Sequence, residues 1–223
     1  MIVAIASTKT GRGHCALAAN LAVLRTRSGS RMCLLDIDPA RSAYRWGCAR
    51  SEEGQGPAMA ALALPARVAT GGIDQIASRY SDLLIHTGAC ASHDCRSALL
   101  SARVVVVPLA PADYDLDANY SLIADLNGAR MFNPSLKALF VILADVGEPT
   151  ALELARARLY VAQVMSATLA NTVLHWPDAN EYGHGRCVCD AETCDPDAAA
   201  ELHALYREVY AQQAAISPIS FNH

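Results

Sequence analysis

Six short runs along the chain are apolar almost without interruption: Ile2–Ala6, Met32–Asp36, Leu83–His86, Val104–Pro108, Leu139–Leu143 and Thr172–Leu174. Apolar throughout, rather than alternating with polar residues, they fit strands covered on both faces of a sheet. Helical periodicity fills the gaps between them. In Ala16–Leu24 the residues Leu17, Leu21 and Leu24 recur at one-turn spacing, and a helix is expected from Cys15 to about Arg27. The alternation predicts βαβ units with right-handed crossovers, hence an α/β fold: a doubly wound, mostly parallel sheet flanked by helices. Glu52–Pro57 and Glu181–Pro196, rich in Gly, Pro and acidic residues, read as surface loops. No internal repeat, low-complexity tract or linker breaks the pattern, so one domain over residues 1–223 is expected.

Composition narrows the function classes. No apolar stretch approaches the length needed to span a bilayer, and MIVAIAST lacks the basic flank of an export signal. A net charge of −4 and a pI near 5.9 give no global basic character of the kind nucleic-acid binders carry. Eight cysteines, in a domain of this size without an export signal, are expected to be reduced thiols, and the cytoplasm is the expected compartment.

The richest chemistry lies in residues 2–15, IVAIASTKTGRGHC, where an apolar strand enters a Gly-rich turn and then a helix. That context aims backbone N–H groups and a helix N-terminus at an anion, which is what a phosphate loop needs. The side chains of such a loop have changed, however. His14 stands where a phosphate-gripping Lys belongs, and Cys15 where a Mg²⁺-binding Ser or Thr belongs.

Lys9-Thr10-Gly11-Arg12-Gly13-His14-Cys15 resembles the deviant Walker A pattern KGGxGK(S/T) of the ParA/MinD-type ATPases, matching at Lys9, Gly11 and Gly13. RMCLLDIDPARSAYRW, residues 31–46, is similar to that family's VLLIDxDPQxSxxxW segment and keeps Asp36, Asp38, Pro39, Ser42 and Trp46. SDLLIHTG, residues 81–88, sits where the family has its Walker B strand, with His86 in place of the carboxylate. ARVVVVPLAPADYDLDA, residues 102–118, looks like DxVxxPxxPxxxDxxA, and the C-terminal layout also follows the family. The resemblance covers nearly the whole chain. It implies a ParA/MinD-like P-loop protein, of a family that forms ATP-sandwich dimers and positions plasmids, chromosomes or protein cargo.

The resemblance assigns roles by position. Thr10 to Cys15 would cradle phosphates, and Lys9 would be the signature lysine reaching the partner's nucleotide. Asp38 would orient the attacking water, while Cys15, Asp36 and His86 would mark the former Mg²⁺ site. His14 is shorter than Lys and largely neutral at pH 7. Cys15 offers soft sulfur to a cation that demands oxygen, and His86 removes a carboxylate. Three substitutions at one centre argue against efficient Mg-ATP hydrolysis, while the backbone N–H groups leave weak, Mg²⁺-independent ATP or ADP binding open. A second reading of Asp36 and Asp38 is that they cap the turn before Pro39.

Other readings stand beside these. Cys15 and His86, with His14 or Asp36, form a sulfur/nitrogen set that suits Zn²⁺, against the plainer expectation that no metal binds. His184, Cys187, Cys189 and Cys194 lack a standard zinc spacing, and Val188 between them is expected to pack inward. Cys90, His93 and Cys95 read as ordinary loop residues. Ala144 and Asp145 stand where the family usually places an adenine-reading Asn, whose paired donor and acceptor they do not reproduce.

Beyond residue 150 four basic residues face nine acidic ones, which disfavours a DNA surface there. Arg25, Arg27, Arg31, Arg41, Arg45 and Arg50 read either as a basic patch or, by preference, as solvated helix-face residues. No membrane-binding C-terminal helix is evident. The expected role is a non-hydrolysing or very weakly nucleotide-binding scaffold or regulator in plasmid partition, conjugal transfer or cargo positioning. Its expected partners are a second copy of itself and a protein of the centromere-binding or transfer-apparatus type, with nonspecific DNA weakly supported. Two alternatives are a slow ATPase using Asp38 and Lys9 in DNA segregation, and a transition-metal switch at Cys15 and His86.

Overall fold

Among the described residues seven strands form one sheet in the order β3-β2-β4-β1-β5-β6-β7, every neighbouring pair parallel. The structure, a computed structural model, describes residues 1–7, 12–64, 69–89, 93–110, 120–144, 147–175, 185–190 and 195–211. The strands are β1 (Ile2–Ser7), β2 (Met32–Asp36), β3 (Ala60–Ala63), β4 (Asp82–Ala89), β5 (Val104–Leu109), β6 (Lys137–Ala144) and β7 (Ala167–His175). The helices are α1 (Arg12–Arg27), α2 (Ser42–Glu52), α3 (Ala69–Ala77), α4 (His93–Ser101), α5 (Tyr120–Phe132), α6 (Ala151–Val161) and α7 (Pro196–Ala211). The α/β class and the parallel sheet expected from the apolar runs are both present.

Because successive side chains of a strand point to opposite faces, each apolar run feeds two cores. Val3, Ile5, Leu34, Leu84, Val106 and Val141 pack with Leu17 and Leu21 of α1 and Leu202 and Leu205 of α7. Ala4, Leu35, Ile85, Val105 and Phe140 pack on the other face with Ile73, Leu99, Leu126 and Tyr160. Phe140 and Tyr160 meet edge to face at 5.8 Å, a geometry that adds about 1 kcal/mol to their burial.

Local chemistry sets several boundaries. Thr150 and Glu153 form a reciprocal capping box at the start of α6, and α7 begins on Pro196, whose missing N–H costs nothing there. β7 lies at the sheet edge, where Glu208 accepts the N–H groups of Asn171 and Thr172, and Glu201 that of His175. Those carboxylates occupy donors that would otherwise invite another strand.

Two features depart from the sequence reading. β3 has no counterpart among the expected strands: AALA carries little strand propensity. A Cβ on Gly47 of α2 would come within 2.4 Å of the Ala61 Cβ, so this strand is small because a helix lies close against it. The segment 185–190, expected within a surface loop, is instead largely buried: Gly185, Cys187, Val188 and Asp190 pack against α1 and α2. The inward packing expected of Val188 is observed. Among the described residues no helix is long and apolar enough to cross a membrane.

Candidate functional site

The C-terminal ends of β1, β2 and β4 meet where α1 and α2 begin, in the crevice position that parallel α/β sheets use for ligands. Asp36 at the end of β2 is in register with His86 of β4, and His86 with Ile5 of β1. Cys15, in the first turn of α1, is 8 % exposed and lies beside Ser42, the first residue of α2. The fold therefore brings Cys15, Asp36, Asp38 and His86 together from three separate segments.

Asp36 is fully buried, and its oxygens are committed. Oδ1 accepts the Asp38 N–H at 2.9 Å and lies 3.2 Å from His86 Nδ1, while Oδ2 accepts the Tyr44 N–H at 2.9 Å. A buried carboxylate needs such donors, and because it only accepts, the imidazole proton belongs on Nδ1. Tyr44 lies in the first turn of α2, so Asp36 caps that helix from outside it. The N-cap residue, Arg41, makes no side-chain cap and sits in the left-handed region at φ 52°, a conformation that is costly for a non-glycine residue.

Asp38 holds the next turn. Its Oδ1 accepts the Ala40 N–H at 3.0 Å, an Asx-turn, and its side chain lies against Gly88 of β4. Gly88 has φ +67°, and a Cβ there would fall 2.7 Å from the Asp38 Cγ. Glycine is thus required both by the backbone angle and by the carboxylate above it.

Burial pushes the Cys15 thiol up to about 11, and Asp36 and Asp38 push in the same direction, against the Ser42 hydrogen bond and Arg45. At neutral pH it is a protonated, uncharged thiol. His14 is half-buried in the same turn. Among the described residues no three His, Cys, Asp or Glu side chains are arranged to hold a metal ion. Lys9, Thr10 and Gly11 lie outside the described residues, as do the side chain of Arg12, Cys90, Asp145, His184, Cys194 and the side chain of His93.

The arginines correct the sequence reading most. Arg50 is 2 % exposed rather than solvated: it donates to Asp190 at 2.8 and 3.0 Å, to the Gly185 carbonyl at 2.8 Å and to the Gly56 carbonyl, and stacks over Trp46. Arg27 donates to the same Asp190 at 2.7 Å, and Arg25 to Asp82 at 2.7 Å. These ion pairs span more than fifty residues and leave no periodic trace in the sequence. Arg31, Arg41 and Arg45 are exposed, so a six-arginine patch does not form.

Two cysteine findings complete the site's surroundings. The Cys187 and Cys189 thiols share a hydrogen bond that raises Cys187 and lowers Cys189, with Arg27 also favouring the Cys189 thiolate. Cys95, buried on α4, is disulfide-bonded, which departs from the expectation of reduced thiols and of an ordinary loop residue.

No family model matches the sequence, and no curated protein does. Solved structures do. The septum site-determining protein MinD of Pyrococcus horikoshii OT3, complexed with Mg-ADP, superposes with a TM-score of 0.67 at 17 % identity, over 98 % of this chain and 99 % of that one. A putative plasmid partition protein of Borrelia burgdorferi B31 bound to AMPPNP gives 0.67 at 13 %, over 95 % and 98 %. MinD of Aquifex aeolicus gives 0.64 at 15 %, over 100 % and 99 %. At these identities the likeness establishes the fold, which is that of the ParA/MinD-type ATPases.

Proposed function

We propose that this chain, built on the ParA/MinD-type fold, is a scaffold or regulator that binds nucleotide weakly or not at all and does not hydrolyse it efficiently. Its setting is plasmid partition, conjugal transfer or cargo positioning. The observation that carries this reading is the Asp36–His86 pair. Mg²⁺ takes hard oxygen ligands in octahedral geometry. The side chains gathered at the strand ends are an uncharged thiol, an imidazole and two carboxylates, of which Asp36 already holds two backbone N–H groups and that imidazole, and Asp38 the Ala40 N–H. This donor set does not fit the ion.

The first turn of α1 still presents backbone N–H groups towards the crevice, which supports weak anion or nucleotide binding without metal. In two of the proteins sharing this fold a nucleotide or its analogue is bound. Homodimer formation and a protein partner of the centromere-binding or transfer-apparatus type belong to the same proposal. The alternative, a slow ATPase using Asp38 and Lys9, has less support, because the Asp38 carboxylate is buried in a turn and accepts the Ala40 N–H.

The test pairs phosphate release with calorimetry. Wild-type protein is expected to release no phosphate above background, and any ATP affinity is expected to be indifferent to Mg²⁺. The triple change His14→Lys/Cys15→Thr/His86→Asp is expected to make binding Mg²⁺-dependent. Wild-type turnover that is lost in Asp38→Asn would overturn the proposal in favour of the slow ATPase.

A further inference from the structure

At the end of the sheet opposite the crevice, the first residues of β5, β6 and β7 and the α5–β6 turn surround a cavity of about 430 Å³. That volume is typical of small-molecule sites. Its accessible apolar lining comes from Pro134 and Ala167, over the buried Val104 and Leu139. Arg103, Arg130 and Lys137, all half-buried, stand around it, and no carboxylate lines it among the described residues. In a chain of net charge −4 this is a local concentration of positive charge, and low-dielectric walls focus such a field.

We propose that this cavity binds a small organic phosphate, its phosphate held by Arg103 and Arg130 and its apolar body resting on Pro134 and Ala167. Two planar guanidinium groups each present paired donors that match phosphate oxygens, and Lys137 adds a point charge. Two or three cations suit a dianion better than a lone carboxylate. The accessible Pro134 and Ala167 surfaces favour a ligand with a carbon skeleton over a bare ion. The backbone supplies an independent sign. Ser166, which also lines the cavity, is held at φ 56° at the head of β7, with its carbonyl accepting the Ala138 N–H at 3.3 Å. Left-handed non-glycine residues concentrate at binding sites.

Phenyl phosphate is the probe, titrated into the full chain by calorimetry and followed by amide NMR, with inorganic phosphate and a twelve-residue oligothymidylate in parallel. One phenyl phosphate per chain is expected, with amide shifts centred on Val104, Leu139 and Ser166. Arg103→Gln and Arg130→Gln are each expected to weaken it at least tenfold, Arg130→Lys less, and inorganic phosphate is expected to bind more weakly. Both arginines are half-exposed, and a thermal melt of each variant monitors the fold. The shift pattern localises binding even where a variant unfolds. Shifts centred on the start of α1, or affinity lost in His14→Ala, overturn the proposal by placing the phosphate in the loop. So does unchanged affinity in both glutamine variants, equal binding of inorganic phosphate, or displacement of phenyl phosphate by the oligonucleotide at lower concentration.

Discussion

His86 Nδ1 stands 3.2 Å from Asp36 Oδ1, the two residues paired directly across the parallel β2–β4 ladder and both almost wholly buried. A carboxylate at position 86, where the resemblance expects one, would face a buried carboxylate at this distance. Two such groups cannot both ionise without a cation between them. Histidine resolves the conflict by donating a hydrogen bond, which leaves the turn self-sufficient.

His86→Asp alone is therefore expected to destabilise the fold by roughly 3–5 kcal/mol at pH 7, by analogy with breaking buried pairs. One carboxyl of the new pair takes a raised folded pKa, so the loss is full above that pKa and fades as pH falls towards the unfolded value near 4. Urea unfolding at pH 7 and at pH 4.5 measures it. Equal losses at both values refute the like-charge account.

Gly88→Ala places a methyl group 2.7 Å from the Asp38 Cγ at φ +67°. A cost of about 1–3 kcal/mol is expected from strain and contact together. Adding Asp38→Gly removes the contact but not the strain, so the double variant should be less destabilised than the sum of the two changes. Strict additivity would show that the two residues do not press on each other.

Arg50→Met leaves Asp190 with Arg27 as its charged partner beside the Cys187 N–H, and takes the Arg50 donor from the Gly185 and Gly56 carbonyls. Removing one member of a buried pair costs about 3–5 kcal/mol, and retention of Arg27 moves the expectation to the lower end. In a denaturation cycle with Asp190→Leu the two sites should couple by about 1 kcal/mol or more. A coupling near zero would mean that the 185–190 segment is held by packing alone.

His175 sits between Glu201 Oε1, 2.7 Å from Nδ1, and the Gly147 carbonyl, 3.1 Å from Nε2. Only the protonated ring donates to both, and the Glu201 hydrogen bond raises its pKa, helped by Gly147 and Glu148 against partial burial. The folded value lies above the unfolded one, so this contribution is whole below about pH 6.5 and disappears as pH rises through the folded pKa. Urea midpoints between pH 5.5 and 8.5 should fall across that window in wild type and less so in His175→Gln. Parallel profiles would rule it out.

By itself the sequence determined the sheet and the convergence of the candidate site. Parallel strands buried on both faces must be continuous apolar runs, and the resemblance to the ParA/MinD-type ATPases implied that Cys15, Asp36, Asp38 and His86 meet at one end of the sheet. The tertiary structure alone decided what those groups do: that Asp36 is consumed in capping α2, that Arg41 is held left-handed, and that Arg50 is buried on Asp190, 140 residues away. It also supplied β3, whose alanines answer to the closeness of Gly47 rather than to strand propensity. The physical reason is the same in each case. Periodicity records which face of an element meets the core, whereas a hydrogen bond or ion pair between distant segments leaves no mark on either one's pattern.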